Sequence, residues 1–226
     1  GRLWCLLSFS RPPADGSDPI AYSGSVMNAR EPNETFKLLR HLTLPIAAVT
    51  TSARGQRNGL IVNSAQRASL VPSRARISLY ISKPNFSHDL VHASGVFGVH
   101  LLRTDQWDVI RALGLRSGRD IGDKFGSLAT RSGVTGCPML SDAIAAFECR
   151  VINTMDAGAA TFFLGEVVDV QAGAAGEVMT STYFRSQAPA DLLQEYASRL
   201  KHAQEILEPL TGRIETPAWP GATAAP

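Results

Sequence analysis

Short apolar runs broken by polar turns dominate the middle of the chain. Ile46 to Thr51 reads as a first strand, and Ala53 to Asn58 (ARGQRN) as the polar turn after it. Gly59 to Leu70 (GLIVNSAQRASL) reads as a second strand, bent near Ala65 to Ala68. Arg76 to Ser82 (RISLYIS) alternates in part and reads as a third. Lys83 to His88 (KPNFSH) reads as a loop, Asp89 to Ala93 as a short helix stopped at Gly95, and Val96 to Leu102 (VFGVHLL) as a fourth strand. A helix is expected from Asp105 to Leu115, ended by the glycines at 114 and 118, followed by a loop-rich stretch from Ile121 to Pro138. Ala146 to Asn153 and Thr161 to Val170 read as two strands joined through a hairpin at Thr154 to Ala160 (TMDAGAA). A further strand is expected over Glu177 to Phe184. Ala190 to Leu207 reads as a helix with Leu192, Leu193, Tyr196, Leu200, Ala203 and Ile206 on one face. Near the start, Asn33 to Leu42 reads as a short helix capped by Asn33, behind a Pro/Gly/Ser/Asp-rich linker at Arg11 to Ser25. A Pro-rich tail ends the chain, where disorder is expected.

Many short strands with few, short helices point to a mainly β fold with peripheral helices, closed or nearly closed into a barrel. Strands do not alternate with long helices, which argues against a doubly wound sheet.

Composition narrows the function. The 226 residues carry a formal net charge of +2, and the arginines at 54, 57, 67, 74 and 76 are spread over a turn and strands. A nucleic-acid partner would demand a clustered basic face. No apolar stretch approaches the roughly 20 residues that span a bilayer, so no membrane segment is expected. Three cysteines (Cys5, Cys137 and Cys149) form no C-x-x-C pair, which argues against both a disulfide scaffold and a zinc site and fits a reducing cytoplasm. The histidines at 41, 88, 92, 100 and 202 lack metal-ligand spacing apart from the His88/His92 pair, and no metal is expected. A G-x-G-x-x-G fingerprint, a phosphate loop of the G-x-x-x-x-G-K-[ST] type, an H-E-x-x-H motif and a G-x-S-x-G elbow are all absent.

The informative stretch runs from Thr50 to Leu102. Its pieces are Val49-Thr50-Thr51, Asn58-Gly59-Leu60, Val62-Asn63-Ser64, Ser69-Leu70, Ser87-His88-Asp89 and the strand Phe97 to Leu102. Further on stand Lys124-Phe125, Gly136-Cys137-Pro138-Met139-Leu140, Phe147-Glu148-Cys149 and Phe163-Leu164-Gly165-Glu166-Val167. Each piece alone is weak. In this order and spacing they resemble the flavin reductase-like family of FMN-binding split β-barrels, over about residues 34 to 185. The resemblance implies an N-terminal tail and linker (1–30), a flavin reductase-like domain (31–186), and a C-terminal helix and tail (187–226).

It also implies an oxidoreductase that binds FMN, or FAD, takes electrons from NADH or NADPH, and supplies reduced flavin to a partner monooxygenase. A homodimer with the flavin near the interface is expected. FMN carries a dianionic phosphate, a hydroxylated chain and a flat apolar ring, and the phosphate calls for hydroxyl or backbone donors and a cation. By the resemblance, Asn63, Ser64 and Ala65 line the ribityl chain and ring edge, with Ser69 and Leu70 along the same strand. Lys83, Ser87 and His88 are the phosphate candidates, in one loop with Asn85 and Phe86. Leu70 equally suits a plain core position, and capping of the Asp89 helix is an alternative role for Asn85 and Ser87. No protein nucleophile is called for, since the cofactor carries the hydride chemistry.

Two departures stand out. Many reductases of the family have a histidine in a G-D-H context at the hairpin, where this chain has Gly158-Ala159-Ala160-Thr161. After Phe184, where the family often continues with Gly and an aromatic residue, this chain has Arg185-Ser186-Gln187-Ala188. The departure at the hairpin leaves open an FMN-retaining enzyme with a dedicated organic substrate, and a flavin carrier without turnover of its own.

Overall fold

The computed structural model describes residues 44–214, together with Leu39, His41 and Leu42. The N-terminal tail and linker, most of the helix expected at Asn33 to Leu42, and the end of the C-terminal tail lie outside the described residues.

Seven strands form one antiparallel sheet: β1 (Ala47–Ala53), β2 (Gln56–Val62), β3 (Gln66–Arg67), β4 (Arg76–Ser82), β5 (Val96–Leu101), β8 (Ala145–Asp156) and β9 (Ala160–Ala172). Their spatial order is β2-β1-β5-β8-β9-β4-β3. The two edge strands, β2 and β3, are consecutive in the chain and separated only by Asn63 to Ala65. Such a link reaches roughly 14 Å at full stretch, whereas the edges of a flat sheet of this width stand roughly 29 Å apart. The sheet therefore curls until its edges meet. At the seam the backbone ladder is replaced by a side chain: Ser64 Oγ donates to the Tyr80 carbonyl at 3.1 Å and accepts from the Tyr80 N–H at 3.3 Å. The expected fold, a mainly β split barrel with peripheral helices, is the observed one.

Alternation along the strands fills the barrel. Val49, Leu60, Ala65, Leu79, Ile81, Phe97, Val99, Cys149, Val151 and Phe163 form one buried cluster. Burying each large apolar side chain contributes about 2 kcal/mol. Gly165 is required there, because a Cβ would stand 2.5 Å from the Phe97 ring. A second cluster covers the other face of β1. Ala48 and Leu102 pack against α2 (Trp107–Gly114), α4 (Ser181–Gln187) and the start of α5 (Ala190–Leu207), with Val109, Ile110, Leu113, Phe184 and Leu192 buried. Beyond Leu192 the residues of α5 are exposed or half-buried.

Several expected boundaries move. The first turn contracts to Arg54 and Gly55, both in the left-handed region (φ 52° and 77°), as a tight hairpin matched to strand twist requires. The second strand does not run on to Leu70. It stops at Val62 where Ser64 takes over the pairing, and only Gln66 and Arg67 pair beyond it. Gly118 does not end the preceding helix but opens α3 (Gly118–Ile121), capped by the Ser117 side chain on the Arg119 N–H. The loop-rich stretch contains a small two-stranded sheet, β6 (Thr130–Ser132) with β7 (Pro138–Leu140), whose strands are too short to show a period. Glu177 to Phe184 is not a strand. Val178 and Thr180 make isolated bridges to Arg103 and Pro45, and Thr180 then caps α4 by accepting from the Tyr183 N–H at 3.1 Å. N-capping outweighs the β propensity of Thr and Tyr there. Both long hairpin strands exceed their expected lengths, because the turn closes over Ala157 to Ala159 alone. Among the described residues no helix is long and apolar enough to cross a membrane.

The β6–β7 hairpin is fastened by a carboxylate. Glu148 is fully buried and accepts from the N–H groups of Val134 (3.0 Å) and Thr135 (2.8 Å) and from the Thr135 hydroxyl (2.7 Å). Burial alone raises its pKa, but these bonds outweigh it and hold the carboxyl below its ordinary value. His100 on β5 is also fully buried, with Nδ1 at 3.1 Å from the Ala48 carbonyl, and burial drives its pKa down to about 4. Lys124 is a buried tether. Its Nζ donates to the carbonyls of Gly59 (2.7 Å) and Leu113 (2.6 Å), and burial lowers its pKa to about 8.

Candidate functional site

The candidate residues fall into two segments flanking β4. The first is the link that closes the barrel. Ala65 is buried in the barrel interior, Ser64 is buried at the seam, and Asn63 is exposed beside them. The Ser69 hydroxyl accepts from the Val71 N–H at 3.1 Å and so shapes the turn beyond β3. Leu70 is 84% exposed, which removes the plain-core reading of that residue.

The second segment follows β4 directly. What the sequence suggests as a loop from Lys83 to His88 is a short turn and then the first turn of α1 (Phe86–Ser94). Asn85 N–H donates to the Ser82 carbonyl at 3.0 Å, which closes the turn, and Gly95 ends the helix at φ 67°. Asn85 stands at the N-cap position, yet its side chain makes no capping bond, so its capping reading holds for the backbone only. Unpaired N–H groups at such a helix start favour an anion.

Each side chain in this turn is held by an element distant in sequence. Lys83 pairs with Asp156 at 2.9 Å, and the Lys83 N–H donates to the Ala159 carbonyl at 2.9 Å, so the β8–β9 hairpin grips the turn from one side. Ser87 is buried, and its hydroxyl accepts from Asn58 Nδ2 at 2.9 Å. Asn58 Oδ1 is buried without a hydrogen-bond partner. His88 Nε2 lies 2.9 Å from the Thr161 hydroxyl, and Nδ1 lies 3.4 Å from Asp89. Burial lowers the His88 pKa, against the raising effect of Asp89, so the ring favours its neutral form. Phe86 is half-buried beneath the Arg119 guanidinium, whose carbon stands 5.2 Å from the ring centre.

The structure thus gathers Lys83, Phe86, Ser87 and His88 around one helix start, and sets Ser64 and Ala65 beside β4 through Tyr80. Four residues in this gathering escape a reading of the sequence: Asn58, Arg119, Asp156 and Thr161. Asn58 lies inside the Asn58-Gly59-Leu60 motif, and Thr161 and Asp156 lie at the hairpin whose departure from the family pattern is plain. Arg119 carries no signal in the sequence, since it meets the turn only through the packing of α3. At the hairpin itself, Thr161 occupies His88, and Gly158 adopts φ 75° with its N–H on the Asp156 carboxylate at 2.7 Å.

Comparison with known proteins agrees with this reading of fold and motif. The model of the flavin reductase like domain matches residues 39–190, and the chain belongs to that family. A ferric-chelate reductase (NAD(P)H) of Archaeoglobus fulgidus is 31% identical over 134 residues, 58% of this chain and 78% of that protein. An FMN reductase (NADH) of Ancylobacter novellus is 26% identical, over 62% of this chain and 75% of that protein. Among solved structures, an NADH:FAD oxidoreductase of Streptomyces globisporus superposes with a TM-score of 0.59 at 24% identity, covering 68% of this chain and 92% of that one.

Proposed function

We propose that this chain is an NAD(P)H-dependent flavin reductase that binds FMN with its phosphate at the start of α1 and its ribityl chain along the Asn63–Ala65 link. The observation that carries this reading is the buried Ser87 hydroxyl on the first turn of α1, with Lys83 three residues before the helix. Helix-start N–H groups, a hydroxyl and an ammonium are the donor set a phosphate requires. The orphaned Asn58 Oδ1 is a buried acceptor beside that hydroxyl, which a flavin hydroxyl or a water would satisfy and the phosphate itself would not. The residues present therefore fit FMN, which when bound supplies the two-electron acceptor for a hydride from the nicotinamide. Lys83, Asn85, Phe86, Ser87 and His88 hold the phosphate end. Ser69 and Leu70 border the far end of the link, where the exposed Leu70 offers apolar surface. FAD is the alternative flavin.

The activities of these relatives support the electron donor and the reaction class. A further relative, the reductase component of a 4-nitrophenol monooxygenase system of Rhodococcus opacus, 22% identical over 75% of this chain, supports delivery of reduced flavin to a monooxygenase. The hairpin favours a second reading, an FMN-retaining enzyme with its own organic substrate, because Ala159, Ala160 and a committed Thr161 stand where many reductases carry histidine.

We further propose a homodimer, a reading supported by the outer face of β4, β9 and β8. Tyr80, Phe162 and Met155 line up across the three strands; Tyr80 and Met155 are 43% and 59% exposed, and the Tyr80 and Phe162 rings are 5.6 Å apart. An apolar row on a sheet face marks an association surface. Phe162→Asp should give a monomer by light scattering.

The deciding experiment follows NADH and NADPH oxidation with and without added FMN. Rapid oxidation that needs added FMN supports the reductase. A yellow protein that ignores both nicotinamides supports the second reading. A protein that neither binds FMN nor oxidises NADH refutes the site.

A further inference from the structure

We propose that Arg119 is a positioning residue for the flavin phosphate, acting through the Pro84–Asp89 turn; this rests on the reading of that turn as the phosphate site. Three contacts carry the assignment. Arg119 Nη1 donates to the Pro84 carbonyl at 2.7 Å, Nη2 donates to the Asp89 carboxylate at 2.7 Å, and the guanidinium lies over the Phe86 ring at 5.2 Å. One planar group thus grips the turn before, at and after the helix start, enclosing Ser87 and His88.

The approach of α3 is built for this grip. Ser117 caps the helix, and a Cβ at Gly118 would stand 2.4 Å from Asn58 Oδ1 and 3.1 Å from the Phe86 ring. Only glycine lets α3 come close enough while Asn58 holds Ser87. The adjoining arginine is thereby delivered to the turn.

Electrostatics give the grip a second consequence. Asp89 sits in the first turn of α1, beside the N–H groups that would receive a dianion. Left alone, its carboxylate repels that dianion. Arg119 answers the charge while its side chain stays 47% exposed. Asp89 is met by Arg119, whereas the Lys83 ammonium meets Asp156.

The test compares FMN with riboflavin, which lacks the phosphate, by titrating flavin fluorescence against the full chain. Arg119→Ala should weaken FMN about tenfold, the size of one charge-assisted hydrogen bond, and leave riboflavin within about twofold. Arg119→Lys keeps the charge but not the planar fork, and should fall between wild type and Arg119→Ala. Adding Asp89→Asn to Arg119→Ala should restore part of the FMN affinity, because the unanswered charge is gone. Equal weakening of FMN and riboflavin would reduce Arg119 to a structural residue, and unchanged FMN affinity would overturn the proposal outright. The lysine variant keeps the question answerable if alanine unfolds the turn, which a melting curve without flavin detects. If wild type binds riboflavin as tightly as FMN, the phosphate site itself is refuted and this proposal falls with it. If wild type discriminates and the variants still do, only the role of Arg119 falls.

Discussion

Two polar clusters in this molecule look alike on paper and differ in what they do. One surrounds Glu148 and His100. Both side chains are fully buried, and the partners of Glu148 are two backbone N–H groups and one hydroxyl on a single short turn. The other surrounds Lys83, His88 and Arg119. Its bonds join side chains from β8, β9, α1, α3 and the turn before α1, and part of it is reachable by solvent, with the Lys83 and Arg119 side chains 31% and 47% exposed. A buried carboxylate with fixed donors has nothing to exchange and can only hold structure. A half-exposed set of mutual pairs can trade a partner for a ligand at small cost. Whether the partners of a charged group are fixed donors or exchangeable side chains, rather than residue type, separates scaffold from site.

Removing a partner in the buried cluster should have the largest effect. Glu148→Ala strands three donors beneath the β6–β7 hairpin and should cost about 3 kcal/mol in denaturant unfolding. Flavin affinity per folded molecule should stay unchanged; a selective loss of affinity would erase the contrast between the clusters.

The pH dependence of stability comes next. His100 has a folded pKa of about 4 against an ordinary 6.5. The unfolded chain therefore takes up the proton first, and stability is complete above pH 6.5 and declines as pH falls toward 4. The whole decline is on the order of 3 kcal/mol, because the ring is fully buried and unscreened. Glu148, held below its ordinary value, adds loss in the same direction at lower pH. Unfolding free energies between pH 7 and pH 4 check this, and His100→Gln should flatten the upper part of the curve.

In the open cluster the effect shifts from stability to ligand. Lys83→Met should weaken FMN by about tenfold while costing only about 1 kcal/mol of stability, some of it from the Asp156 carboxylate that Lys83 neutralises. Equilibrium unfolding beside flavin titration separates the two. The smallest effect belongs to ion pairs outside both clusters. Arg74 pairs with Glu166 at 3.2 Å on the surface, with the Arg74 side chain 69% exposed, and Arg74→Ala should change stability by less than about 0.5 kcal/mol.

Legibility in the sequence followed the same division. β4 and the long helix α5 were readable to the residue, because partial alternation marks Arg76 to Ser82 as a strand and helical periodicity marks Ala190 to Leu207 as a helix. Residues 83 to 88 were recognisable as a special segment by composition and motif, yet their helical first turn was not, since Pro84 and Asn85 mask where α1 begins. The strand expected at Glu177 to Phe184 failed because one side-chain cap at Thr180 decides the local backbone. Asn58 and Arg119 could not be assigned to the turn at all: nothing local ties them to Ser87 or Asp89, which lie about thirty positions away.

The sequence by itself determined most of the long strands and the order of motifs that marks the family, because these depend on neighbours along the chain. Only the tertiary structure decided how the barrel closes at Ser64, which polar cluster is sealed and which is open, and which arginine meets the helix start. Those depend on contacts between segments far apart in sequence, where burial and distance, and not residue type, set the free energy of each group.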